Sequence, residues 1–152
     1  MKTTSIFSAS LFAGLTIIMA SSQAVAETGA DSPEPLELRK IMRDLGKDMQ
    51  TMVDGIAKED WGQVQKAAMR IADHPAPPLM EKMRIVAFMG RDMGKFKDHD
   101  GKTHNAARDL ATVATEKDGY AVISAFSRLQ NTCLGCHQHF RQPFQEHFYG
   151  QH

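Results

Sequence analysis

The chain has 152 residues, with 18 lysines and arginines against 18 aspartates and glutamates, for a formal net charge of +0. Near-neutrality excludes a general electrostatic footprint for nucleic acid, and with no long basic run there is no polybasic attachment to an anionic membrane. Two cysteines are present, so no wider disulfide framework competes for them.

The first 26 residues read as a secretory signal peptide. Lys2 supplies the positive start, residues 6–20 are mostly apolar, and Ala24-Val25-Ala26 gives a small-residue cleavage pattern before Glu27. The apolar run of about 15 residues is shorter than the ~20 that a spanning helix needs. No cysteine follows the cleavage pattern to take a lipid, so an exported product that does not span the membrane is expected. Residues 27–152 then form a single 126-residue domain. Losing Lys2 and no acidic residue leaves seventeen basic against eighteen acidic side chains, a net charge of −1.

Residues 27–35 are polar and proline-containing and predict a mobile lead-in. From Leu36 onward, Leu38, Ile41, Met42, Leu45, Met49, Met52, Val53 and Ile56 recur at helical spacing. Gly46 weakens this first helix, and leaves room for something bulky against the backbone. Asp60 is the expected N-cap of a second helix with Trp61, Val64, Ala67, Ala68, Ile71 and Ala72 along one stripe. His74-Pro75-Ala76-Pro77-Pro78 ends it. Residues 79–96 are richly apolar but interrupted by Gly90 and Gly94, and predict one or two short helical pieces covering an end or side of the core. His99-Asp100-Gly101 reads as a turn.

A further helix follows, with Ala106, Ala107, Leu110, Ala111, Val113 and Ala114 inward, and Asp118-Gly119 breaks it. The last helix is predicted from about Tyr120 through Phe140, with Pro143 kinking or ending it. Four amphipathic helices with short connections predict an all-α, antiparallel four-helix bundle.

Cys133-Leu134-Gly135-Cys136-His137 lies late in that last helix. It matches the C-x-x-C-H spacing of covalent c-type haem attachment. Positions i, i+3 and i+4 share a helix face, so both sulfurs reach one porphyrin while the imidazole points at its iron. Two other readings compete: a thioredoxin-like dithiol, which ordinarily sits beside a βαβ pattern, and a zinc site using both cysteines with two of His137, His139 and His147. The remaining histidines, His74, His99, His104 and His152, read as solvated or capping residues in connections and at the tail.

A C-terminal C-x-x-C-H on a fourth helix, the Phe140-Arg141 pair after it, and the first-helix segment Met42-Arg43-Asp44-Leu45-Gly46-Lys47-Asp48-Met49 together resemble the cytochrome c-prime family. The likeness extends over essentially all of residues 27–152 and is loosest from His74 to His104. It is nearest to the low-spin, methionine-ligated members. It implies one covalently bound haem c, thioether links at Cys133 and Cys136, His137 as proximal ligand and Met42 as distal ligand. Arg39 and Arg141 are candidates to pair with the haem propionates, although Leu38 stands where the family usually places that arginine.

The resemblance further implies one-electron transfer between periplasmic or membrane-bound redox proteins, with no nucleic-acid partner, and with dimers common. No nucleophile–base pair or substrate pocket is evident, which favours a carrier over an enzyme. The alternatives are a protein that binds nitric oxide or carbon monoxide at an open or displaceable sixth position, and a structural helical module without haem.

Overall fold

The computed structural model describes residues 35–150, so the signal peptide and its cleavage site lie outside the described residues. Five α-helices follow in order: α1 (Glu37–Ala57), α2 (Trp61–Ala72), α3 (Leu79–Met89), α4 (Met93–Thr115) and α5 (Gly119–Tyr149), with a 3-10 turn at Gly90–Asp92 between α3 and α4. There are no strands among the described residues. α1, α2, α4 and α5 form the four-helix bundle, and α3 is appended to it.

Local chemistry sets most of the boundaries. The Asp60 carboxylate accepts from the Gln63 amide at 2.9 Å and starts α2. Asp118 accepts from the Tyr120 and Ala121 amides at 3.0 and 3.1 Å and starts α5. Gly90, at φ +50°, turns the chain out of α3, a conformation that costs a side-chain-bearing residue far more than glycine. Gly150, at φ +58°, ends α5.

Two apolar clusters hold the fold. The larger joins Met52 of α1, Val64, Ala67, Ala68, Ile71 and Ala72 of α2, Ala107, Leu110, Ala111 and Ala114 of α4, and Val122, Ala125, Phe126 and Leu129 of α5. The smaller joins Leu36, Ile85 and Met89 to Phe144 and Phe148 of α5. Here Phe88 packs edge-on against both phenylalanines, at 5.3 and 5.1 Å between ring centroids. The beginning of α1 therefore meets the end of α5, while Met52 shares the other core with Leu129, so the two helices run antiparallel.

Three expected breaks are absent. His99-Asp100-Gly101 lies inside α4 rather than in a turn. Thr103, hydrogen-bonded back to the His99 carbonyl at 3.1 Å, is buried there, and packing outweighs the roughly 1 kcal/mol that one internal glycine costs. Gly94 is likewise helical. Pro143 does not end α5 either: burial of Phe144 and Phe148 carries the helix a further turn and a half, and places His147 in it, stacked on Phe88 at 4.3 Å.

The start of α1 is capped from elsewhere in the chain. Its N-cap residue is Leu36, which has no side-chain oxygen to offer. The buried Glu81 of α3 accepts from the Glu37 and Leu38 amides at 2.6 and 2.8 Å, placing a carboxylate against the positive end of the helix. Glu81→Ala is expected to cost about 1–2 kcal/mol, read as a lower urea midpoint. Faster amide exchange should appear at the first turn of α1, with the middle of α2 unaffected.

Candidate functional site

Cys133 and Cys136 sit in the middle of α5 and neither forms a disulfide. Cys133 packs against the edge of the larger core. Both thiols are half-buried, and loss of hydration raises the pKa of each. The Cys136 thiol is pushed up to about 11, by burial first and then by the negative field of Asp100 and Cys133. A redox dithiol requires the opposite shift, because the thiolate is the nucleophile. Neither cysteine joins a three-ligand metal cluster among the described residues, so the zinc reading of this motif finds no support there.

Helix periodicity fixes where His137 points. On α5, Gly135 and His139 face α4: a methyl group on Gly135 would lie 3.7 Å from His99 Cε1, and the His99 and His139 rings are 5.1 Å apart. At about 100° per residue, His137 lies on the other flank of the helix, together with Ile123, Leu134 and Arg141. The His137 ring is held below its usual pKa, by burial first and then by the Arg141 guanidinium. It is therefore neutral near pH 7, with a lone pair available to a metal.

The same reasoning places Met42. On α1, Gly55 faces α2 so closely that a β-carbon there would meet Val64 Cγ2 at 2.9 Å. Asp48, on the same side, pairs with Arg70 of α2 at 2.6 Å. Met42, Gly46, Met49 and Val53 follow one another at four-, three- and four-residue steps along the opposite flank, which turns toward α5. α1 joins the smaller core at Leu36 and the larger at Met52, and α5 joins the larger as far as Leu129 and the smaller from Phe144, so Met42 and the C-x-x-C-H motif both lie in the spans between the two cores.

Met42 is 39% exposed and belongs to neither core. Met52 is fully buried, and Met49 packs on the larger core, so the other methionines of α1 fill space. Val53, Ile123 and Leu134 are more than half exposed. A β-carbon on Gly46 would meet nothing within 4 Å. α1 and α5 are neighbours in the bundle yet touch sparsely, whereas α1–α2, α2–α4 and α4–α5 are closely packed. The flanks that α1 and α5 leave thinly packed thus carry exposed apolar side chains, the neutral His137 imidazole and the Met42 thioether, with the Cys133 and Cys136 thiols in the turn of α5 that ends at His137. That donor set fits a covalently attached haem.

The arginines are placed differently from each other. Arg141 stands one turn beyond His137 and acts on its charge. Arg39 lies over the Tyr149 ring, 5.1 Å from its centroid, near the end of α5, so no contact gathers it with the cysteines. A groove of about 600 Å³ lies on the α2 side of α1, lined by Ile41, Leu45, Met69 and Pro75 among others, and none of the motif residues borders it.

The histidines of α4 are also not in connections. His104 and Asp100, with His74 after α2, form a cluster on α4. An i, i+4 Asp–His pair would have signalled it, had residues 99–101 been read as helix.

A sequence profile of the family described as Cytochrome C' matches residues 89–141. This is about a third of the chain. The matched stretch contains the 3-10 turn, α4, and α5 as far as Arg141, and so includes the C-x-x-C-H motif and part of the stretch where the resemblance is loosest. It does not reach α1, so the likeness around Met42 rests on the segment Met42 to Met49 itself. No curated protein and no solved structure matches the chain.

In chain produced without haem maturation, thiolate absorbance near 240 nm is expected to rise only well above neutral pH, with the Cys136 step near pH 11. The thiols should react slowly with iodoacetamide at pH 7. Prompt alkylation at neutral pH would identify an activated dithiol instead.

Proposed function

We propose that this chain is a periplasmic monohaem c-type cytochrome that carries single electrons between periplasmic or membrane-bound redox proteins. The observation that carries the reading is that Cys133, Cys136 and His137 lie on one helix, in the span of α5 between the two cores, with Met42 in the corresponding span of α1. The profile match over the motif-bearing helices supports the same reading. So does the finding that no described helix is long and apolar enough to cross a membrane.

Cys133 and Cys136 would each form a thioether link, and their protonated, half-buried state suits thiols that add to a vinyl group only under an attachment machinery. His137 would be the proximal ligand, its neutral ring needing no proton release near pH 7. Met42 would be the distal ligand. A thioether is a soft donor that favours the ferrous state and raises the potential. When bound, the haem supplies a one-electron ferric–ferrous couple. Ile123, Leu134, Met49 and Val53 would cover its faces and limit access of water, which further tunes the couple. Arg141 is suitably placed for a propionate. Arg39 would have to leave Tyr149 to serve one.

Export with a cleaved signal peptide requires the mature mass to be that of residues 27–152 plus one haem, still attached after denaturation. Reduced protein is expected to be low-spin with little carbon monoxide uptake. Met42→Ala should convert the iron to five-coordinate and admit carbon monoxide, while Met49→Ala should lower stability by about 1–3 kcal/mol and leave the spectrum unchanged. A wild-type spectrum that is already high-spin, with fast gas binding, would favour the gas-binding alternative.

A further inference from the structure

His74, Asp100 and His104 converge at the junction of α2, its following loop and α4, with Asp100 close enough to Cys136 for its charge to act on that thiol. Their side-chain ligand atoms lie within 4.8 Å of one another. His74 Nε2 is 3.6 Å from Asp100 Oδ1, and His104 Nε2 is 3.4 Å from Asp100 Oδ2. In a tetrahedral site with metal–ligand bonds near 2.0–2.1 Å, ligand atoms stand roughly 3.3–3.5 Å apart, so the spacing is close to that of a closed set.

The other ring nitrogens settle what faces inward. His74 Nδ1 is 3.1 Å from the Pro75 carbonyl. His104 Nδ1 is hydrogen-bonded to the Ala72 carbonyl, which also accepts from Arg108 at 3.3 Å. A carbonyl can only accept, so each Nδ1 carries a proton and each Nε2 is the atom turned toward the carboxylate. A divalent ion seated between them would displace any Nε2 proton, so that two imidazole lone pairs and a carboxylate meet at the metal. Backbone carbonyls behind both imidazoles are also the outer partners that orient histidine ligands in metal centres.

We propose that His74, Asp100 and His104 form a second metal site, sharing no ligand with the C-x-x-C-H motif, for a borderline divalent transition ion such as Zn²⁺. Two imidazoles and one carboxylate give an N₂O set of the kind Zn²⁺ accepts, with the fourth position open to water. The side chain of His74 is 11% exposed and that of His104 22%, while Asp100, at 47%, leaves the entry side open. The two rings now stack, with centroids 4.5 Å apart and planes 19° from parallel. Binding must fan the rings apart until both lone pairs aim at one point, about the pivots that the two carbonyls provide. The bound ion would fasten the end of α2 and the loop after it to the middle of α4.

The test is titration of the untagged, haem-loaded chain with zinc chloride at pH 7.5 by isothermal calorimetry. One equivalent is expected to bind. His74→Ala, His104→Ala and Asp100→Asn should each weaken it at least about tenfold. His139→Ala, a helical surface histidine outside the cluster, should leave it unchanged, and circular dichroism should show the same helix content in all four variants. Absence of stoichiometric binding would overturn the site. So would binding that persists undiminished in the three cluster variants.

Discussion

Close approach of α2, α4 and α5 is the constraint on which the rest of this molecule depends. The positions where these helices meet are Ala67, Ala68, Ala72, Ala107, Ala111, Ala114 and Ala125, all buried. A methyl side chain fills little space, so ridges and grooves interlock at short range, and larger residues such as Ile71, Leu110 and Leu129 fill what remains. α1 joins this wall from one side, by Gly55 on Val64 and by Met52 in the core. Tight packing against α2 fixes where α1 stands. Its far flank is then left facing α5 with little in between.

That arrangement explains why an exposed apolar stripe persists on α1. Met42 and Val53 stay 39% and 53% exposed in the bundle, where a helix folded only for its own stability favours polar residues. Their partner in the proposed reading is a flat, apolar prosthetic group. The same logic separates the methionines of α1: those turned toward the core are explained by packing, and Met42 is not.

Much of this was legible in the sequence, and for local reasons. Asp60, Asp118, the prolines after His74 and Gly90 act through hydrogen bonds or backbone angles a few residues away, so their signals are written beside the elements they bound. The C-x-x-C-H spacing is local too, and helix geometry converts it directly into a shared face. Signals that depend on distant partners were not legible. Gly101 and Pro143 look like breaks until the burial of Thr103, Phe144 and Phe148 is known. Glu81 carries no local signal of its capping role, because its partners are more than forty residues earlier in the chain. His74 and His104 read as solvated because the cluster forms only when the end of α2 meets α4.

α5 passes from one core to the other between Leu129 and Phe144, and the motif occupies the span between them. Both ends of that span are anchored: upstream by the alanine-lined wall, downstream by the aromatic cluster that also clasps the start of α1. The same cluster holds Leu36, next to the α1 amides that Glu81 caps, so α1 is pinned on both sides of Met42, at Leu36 and at Met52. Pinning both walls sets the width of the seam before anything binds in it. In the proposed reading, this would have a direct advantage for electron transfer. Ligands held on stiff, doubly anchored helices move little when the charge on the iron changes, and the reorganisation that slows such transfer stays small. A seam anchored at only one end would let α1 swing. Its thioether would then be a ligand in one redox state and a bystander in the other.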